Sequence, residues 1–269
     1  AYTPAFCSYR DSEVSYSFRY SADVSFSDLS RRELEIVTAN AFESTQYLLS
    51  GLDKKTAYIR LDEFNGNAAE EFRVCLQKMK ERGRENLVLD LRSNGGGYMD
   101  ILLEIASHTM KNAPSGRALV SSAKFKNGNV YNYSSSGNNY YTYFTENSHV
   151  TLLADEYTAS ASECLIGALV DYGTISFSDI VLRKDAASGQ ARSYGKGIMQ
   201  SHFQHKNGSV LKLTVAEIFW PNGKSIHGKG VTEEDGAKSV VSPFVWGEDD
   251  VLLTQVLEWL GAPSNGATL

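Results

Sequence analysis

The sequence predicts an α/β fold whose core is a mainly parallel sheet, and three observations carry that prediction. From residue 56 onward, strand-like segments alternate with segments of helical period, the order expected when helices cross over between parallel strands. Residues 87–91 form a nearly continuous apolar run, as a strand buried on both faces requires. The chain has 269 residues, 42% hydrophobic and 22% charged, so it can bury a substantial core and is unlike a disordered polymer.

Each element follows from local pattern. Residues 13–26 alternate apolar and polar side chains (Val14, Tyr16, Phe18, Tyr20), the period of a half-buried strand. Ser30 with Glu33 three positions on makes a capping box, which starts a helix that runs towards Leu49 and stops at Gly51. Residues 1–55 therefore read as a strand–helix appendage to a core at residues 56–260. In that core, residues 57–61 predict a strand, 68–81 an amphipathic helix, 87–91 a strand and 98–110 a helix. A strand at 150–154 and a helix at 161–172, closed by Gly173, come next, then strands near 175–182 and 210–218. Residues 127–147 are rich in Tyr, Ser, Asn and Gly, and Asn127-Gly128 predicts the turn of a surface hairpin or flap. Residues 261–269 read as a flexible tail.

Several classes of function are excluded or demoted. A net charge of −6 without a Lys/Arg run gives no basic footprint for nucleic acid or anionic membrane. No apolar stretch reaches the roughly 18 to 20 residues that span a bilayer, and residues 1–10 lack the pattern of an export signal. Cys7, Cys75 and Cys164 are too scattered for a disulfide framework or a zinc site, and no His neighbours Cys164 in sequence to activate it. His202-x-x-His205 lacks companion ligands, so metal catalysis is not expected. Gly223-Lys224-Ser225 imitates the end of a phosphate-binding loop, but Ile218 holds the position of its first glycine.

Three segments carry chemistry. Thr158-Ala159-Ser160-Ala161-Ser162-Glu163 places hydroxyls at a strand-to-helix junction, where small neighbours admit a substrate and free helix N–H groups face it; simple helix capping is the structural alternative. Asp90-Leu91-Arg92-Ser93-Asn94-Gly95-Gly96-Gly97 follows a buried strand, and its glycines expose N–H groups suited to an oxyanion or merely form a tight turn. Gly195-Lys196-Gly197, with Gln200 beyond it, sets a lysine between flexible residues.

In that order, Asp-Leu-Arg-x-Asn-x-Gly-Gly, Thr-Ala-Ser-Ala-Ser-Glu and Gly-Lys-Gly-x-x-Gln closely resemble the carboxyl-terminal processing peptidases, or tail-specific proteases. The resemblance runs from about residue 57 to 260 and includes Asp171-Tyr172-Gly173 and the run from Trp220 through Gly228. It implies a serine endopeptidase with a crotonase-like βα spiral core. Ser160 would be the nucleophile, Lys196 its base and Gln200 the orienter of the lysine. Ala161 and Gly96 would give oxyanion donors through their N–H groups, and Asp171 structural support. The substrate would be an unfolded or C-terminal polypeptide segment, the place of work the bacterial envelope or the cell exterior, with no cofactor and no metal.

The implied roles are chemically coherent. A lysine that accepts a proton near neutral pH has to be desolvated, and a glutamine can accept its hydrogen bond without adding a negative charge. Three departures stand out. Residues 1–55 show no peptide-binding PDZ pattern, Gly95 stands where proline is usual, and the spacing from Ser160 to Lys196 is longer than the family's. Residues 179–192 are the expected insertion, one able to hold Lys196 away from Ser160. Related cores also serve as non-catalytic peptide- or lipophile-binding modules, and acyl-thioester chemistry occurs on the wider fold.

Overall fold

The computed structural model describes residues 7–10, 15–18, 36–38, 55–244 and 250–261. Their centre is an eight-stranded sheet. Strands β4 (Thr56–Leu61), β5 (Asn86–Asp90), β8 (Val150–Ala154), β9 (Ile180–Lys184) and β12 (Lys238–Val241) lie side by side and parallel. Beyond β4 the sheet continues antiparallel through β1 (Cys7–Arg10), β2 (Ser15–Phe18) and β3 (Ile36–Thr38).

The parallel strands are apolar because both of their faces are covered. Ala57, Ile59, Leu87, Leu89, Leu152, Ala154, Ile180 and Leu182 point to one side, against helices α1 (Ala68–Glu81), α2 (Met99–Thr109) and α4 (Ala161–Asp171). The alternate residues Tyr58, Val88, Leu153 and Val181 meet Leu252, Leu253, Val256 and Leu257 of helix α5 (Val251–Gly261) on the other. Period-two alternation thus puts an apolar side chain on each face, and the run looks continuous.

A second, antiparallel sheet has the order β10 (Ile198–Gln204), β11 (Val210–Phe219), β6 (Ala118–Phe125) and β7 (Val130–Ser135). β6 and β7 form the expected hairpin, with Gly128 at φ +87° and its N–H donating to Phe125 O at 2.9 Å. A short helix, α3 (Tyr140–Tyr143), follows β7.

Some expectations change. The helix expected from Ser30 towards Leu49 is interrupted by β3, whose Ile36-Val37-Thr38 are β-branched and fit a pleated strand better than a helix. β2 falls within the strand expected at residues 13–26; the rest of both predictions, and the tail beyond residue 261, lie outside the described residues. The strand expected at 175–182 starts later, because Asp179 accepts the Ser176 N–H at 2.7 Å and closes a one-turn 3-10 helix over Phe177–Asp179. Residues 180–184 of the expected insertion belong to the core sheet, and the residues after them make a turn in which Asp185 accepts the Ser188 N–H at 2.8 Å.

Candidate active site

The three segments singled out by sequence meet at the carboxyl end of β5 and the start of α4. Asp90 and Arg92, both buried, anchor the first. Arg92 donates to Asp90 (Nη2 to Oδ2, 2.6 Å) and to Asp250 (2.7 and 2.8 Å), and Tyr58 donates to Asp90 at 2.7 Å. Burial works to raise the Asp90 carboxyl, but the charge and hydrogen bonds of Arg92, with Tyr58, hold it below the usual carboxylate range. The strand end is therefore fixed before the glycine loop begins.

That loop is docked on the turn before α4. The Ser93 N–H donates to Asp155 (2.9 Å), Thr158 Oγ1 to Leu91 O (2.9 Å), and Asn94 O receives both Ala159 N–H (2.9 Å) and Ser162 Oγ (3.0 Å). Gly96 lies so close to the next turn that a Cβ there would sit 2.8 Å from Ser160 Cβ and 2.9 Å from Ala161 N. Its φ of +100° also favours glycine. The Gly96 N–H donates to Asn94 Oδ1 at 2.9 Å, so the donor expected from Gly96 is engaged in this arrangement. Ala161, the first residue of α4, has an N–H without an intrahelical partner, and it faces the same place.

The two serines of the turn differ. Ser162 is fully buried and its hydroxyl is committed to Asn94 O. Ser160 is half-buried and holds φ +59°, ψ −114°, a conformation that costs a non-glycine residue about 1–3 kcal/mol and is typical of functional turns. Cys164, the other candidate nucleophile on this helix, is buried, and burial pushes its thiol up to about 12, so it stays protonated.

Glu163, an acid in the first turn of α4, organises the site. Fully buried, it accepts the Ser160 N–H (3.0 Å) and the Lys196 N–H (2.8 Å) on Oε2, and Ser193 Oγ (2.6 Å) and the Gly195 N–H (2.7 Å) on Oε1. One carboxylate oxygen thus bridges the backbones of Ser160 and Lys196. Burial raises the Glu163 carboxyl above its ordinary value; Ser193 and the three backbone N–H groups work in the opposite sense. The sequence signal was available in the capping-box spacing Ser160-x-x-Glu163, but Ser193 and Gly195 are too distant in sequence for that pattern to reveal the second half.

The Lys196 segment is clamped from its far side as well. Tyr194 N–H donates to Thr158 O (3.0 Å), Gly228 N–H to Gly195 O (2.9 Å), and Ser193 exchanges hydrogen bonds with Val231. A Cβ at Gly195 would meet Gly230 N at 2.9 Å, and one at Gly197 would meet His227 N at 2.8 Å. These glycines, expected to make the lysine loop flexible, instead let two backbones pack together. The backbone of Lys196 is accordingly fixed, through Glu163, next to the backbone of Ser160. Its amine, the Ser160 hydroxyl and Gln200 are not joined by hydrogen bonds among the described residues; Gln200 is exposed on β10, just past a bulge at Met199/Gln200.

Asp171 ends α4 and accepts Asn222 N–H (2.8 Å) and Asn222 Nδ2 (2.7 Å), tying the helix to the loop after Trp220. Among the described residues, no group of three or more His, Cys, Asp or Glu could hold a metal, and no helix is long and apolar enough to cross a membrane.

The arrangement has counterparts among known proteins. The model of peptidase family S41 matches residues 55–235, and the chain belongs to that family. It is 34% identical over 175 residues to the carboxy-terminal processing protease CtpB of Bacillus subtilis (strain 168), covering 65% of this chain and 32% of that protein. A Staphylococcus aureus (strain bovine RF122 / ET3-1) protein described as "Probable CtpA-like serine protease" is 29% identical over 189 residues, covering 70% of this chain and 34% of its own length. The chain thus spans about a third of the length of these curated relatives. Among solved structures, a photosystem II D1 C-terminal processing protease superposes with a TM-score of 0.58 at 22% identity, covering 93% of this chain and 61% of that one. This last likeness concerns the fold.

Proposed function

We propose that this member of peptidase family S41 is a serine endopeptidase that cleaves unfolded or C-terminal polypeptide segments, with Ser160 as nucleophile and Lys196 as general base. The observation that carries the reading is the Glu163 carboxylate, which holds the strained Ser160 and the Lys196 backbone on one oxygen. Ser160 Oγ attacks the scissile carbonyl and passes its proton to Lys196, which delivers it to the departing amine; water then repeats the sequence on the acyl-enzyme. Negative charge that develops on the carbonyl oxygen meets the Ala161 N–H, and the Gly96 N–H joins as Asn94 Oδ1 yields it. Gln200 orients the lysine once substrate draws the dyad together, since catalytic hydrogen bonds often tighten only in the complex. Asp171 supports α4 from its far end.

The same reading includes a crotonase-like spiral core. It is supported by the succession β4, β5, β8 and β9, each laid parallel beside the one before it in the chain.

The test is covalent. A fluorophosphonate should modify one residue, Ser160, as located by peptide mass spectrometry. Ser160→Ala should lose both the adduct and peptidase activity, whereas Ser162→Ala should keep the adduct and lose about 1 kcal/mol of stability with its buried hydrogen bond to Asn94 O. An adduct on Ser162, or none on either serine in a folded protein, would refute the assignment.

A further inference from the structure

Three asparagine–glycine pairs sit in the same backbone turn, and their carboxamides are held differently. In residues 125–129, 205–209 and 220–224 the N–H of the first residue donates to the carbonyl of the fifth, at 2.8, 2.8 and 2.9 Å. The glycine N–H donates back to the first carbonyl, at 2.9 Å in each. Gly128, Gly208 and Gly223 accordingly share the left-handed region, with φ of +87°, +85° and +84°. The asparagine before each glycine accepts the N–H two residues on: Asn127 Oδ1 from Asn129 (3.0 Å), Asn207 Oδ1 from Ser209 (3.1 Å) and Asn222 Oδ1 from Lys224 (2.7 Å). Such a turn folds the carboxamide over the glycine nitrogen, the two groups that close a cyclic imide. All three asparagines are exposed.

What differs is the rest of each carboxamide. That of Asn127 has no further partner among the described residues. Asn207 Oδ1 accepts two more hydrogens, from Ser209 Oγ (2.7 Å) and from His205 Nδ1 (3.2 Å); a carbonyl oxygen only accepts, so that ring nitrogen carries its hydrogen. Asn222 is tied at its nitrogen, Nδ2 donating to Asp171 Oδ1 at 2.7 Å while its backbone N–H donates to Oδ2 at 2.8 Å. Three donors on one carbonyl oxygen stabilise negative charge that develops there, as an oxyanion hole does. A carboxylate on the departing nitrogen does the reverse, because a charge-assisted hydrogen bond has to break and the acid formed would face Asp171.

We infer that Asn207 is the preferred site of spontaneous deamidation in the folded chain, with the Gly208 nitrogen as nucleophile and water as co-reactant. Hydroxide removes the Gly208 N–H proton, and the nitrogen attacks Asn207 Cγ to form a C–N bond. The charge passes to Oδ1 among the Ser209 and His205 donors. The Cγ–Nδ2 bond then breaks, and water protonates the nitrogen, which leaves as ammonia and returns the hydroxide. A second water opens the imide at either carbonyl, giving an aspartyl or an isoaspartyl residue. Amide and water thus become carboxylic acid and ammonia, and nothing is oxidised or reduced. The isoaspartyl product adds a backbone carbon and a negative charge at the tip of the β10–β11 hairpin.

The experiment ages the full chain carrying Ser160→Ala, which removes any self-cleavage, in neutral buffer at body temperature. Each site is followed by peptide mass spectrometry and by isoaspartyl methyltransferase labelling. Asn207 should deamidate about fivefold faster than Asn127, the worth of one added hydrogen bond, and Asn222 more slowly than both. Lysine precedes both Asn127 and Asn207, so synthetic peptides of these two turns, which do not fold, should deamidate at similar rates. Ser209→Ala keeps the backbone donor and removes the hydroxyl, and should bring Asn207 towards the Asn127 rate. Asp171→Ala should speed Asn222 in turn. An Asn127 or Asn222 rate equal to that of Asn207 in the folded chain, or an Asn207 rate unaltered by Ser209→Ala, overturns the proposal. So does a fivefold difference that persists in the peptides, because sequence rather than the folded turn then sets it.

Discussion

The carboxyl end of β5 and the β10–β11 strand pair are held in opposite ways. Around β5, Asp90, Arg92, Asn94, Asp155, Ser162 and Glu163 are all buried, and each is engaged in hydrogen bonds or ion pairs. Along the outer part of β10 and β11, Phe203, Leu211 and Leu213 are exposed, and among the described residues no strand pairs with the far edge of β10. Buried polar groups fix geometry because every unmade bond costs the full desolvation of its group. An exposed apolar stripe adapts, because burial has no direction. The two regions thus differ in what holds them, and substitutions in them should differ in kind.

The largest structural effect is expected at Arg92. Arg92→Ala leaves Asp90 and Asp250 buried without their shared cation, which costs about 3–5 kcal/mol and lowers the melting temperature on the order of 10 °C. The pH dependence should change with it. Because the folded-state Asp90 carboxyl lies below its ordinary value, its stabilisation is complete above the unfolded value of about 3.9 and is lost as the pH falls through the folded value. Wild-type stability should therefore fall more steeply below about pH 4 than that of Arg92→Ala, as urea unfolding at several pH values would register.

Glu163→Gln is the next in size and sharpens the comparison most. An amide nitrogen at either oxygen position would face two donors, so the change should cost about 1–3 kcal/mol and reduce kcat by two orders of magnitude or more. The sign of the pH effect is opposite to that of Asp90. A raised folded-state value means the Glu163 contribution is greatest below the unfolded value and diminishes as pH rises through the folded one. The stability gap between wild type and Glu163→Gln should accordingly narrow from acid to neutral pH. A gap that widens would overturn the burial argument.

Gly167→Ala probes the support behind the nucleophile. A methyl there would lie 2.3 Å from the Trp220 ring, so overpacking should cost about 1–3 kcal/mol by thermal unfolding. Phe203→Ser, Leu211→Ser and Leu213→Ser should each have the smallest effect on stability, since these side chains are already about half exposed.

What could be read from sequence follows the same division. Helix α1 was legible at residues 68–81 and the start of α4 at Ala161, because period and capping are local. The Asn127-Gly128 turn was legible because glycine relieves the positive φ it needs. β10 and α5 were not anticipated. β10 is interrupted by a bulge and mostly polar after Met199, and α5 is too apolar for a clear helical period, its one local signal being Asp250, which caps it by accepting the Leu253 N–H at 3.0 Å. In the site, the resemblance pointed to Ser160, Lys196 and Gln200, but Glu163 acts through partners some thirty residues away. The commitment of the Gly96 N–H to Asn94 is a matter of side-chain rotamer, and sequence spacing does not encode it.

The central claim is that Lys196 serves as the base for Ser160, and the rate of Ser160 acylation by a chromogenic ester tests it most directly. Lys196→Ala removes the base, and Lys196→Arg keeps a positive charge but no free lone pair, since guanidinium remains protonated. Both variants should acylate at the same background rate, far below wild type, with folding unchanged. A Lys196→Arg enzyme that acylates at close to the wild-type rate would contradict the account and leave the lysine an electrostatic role alone.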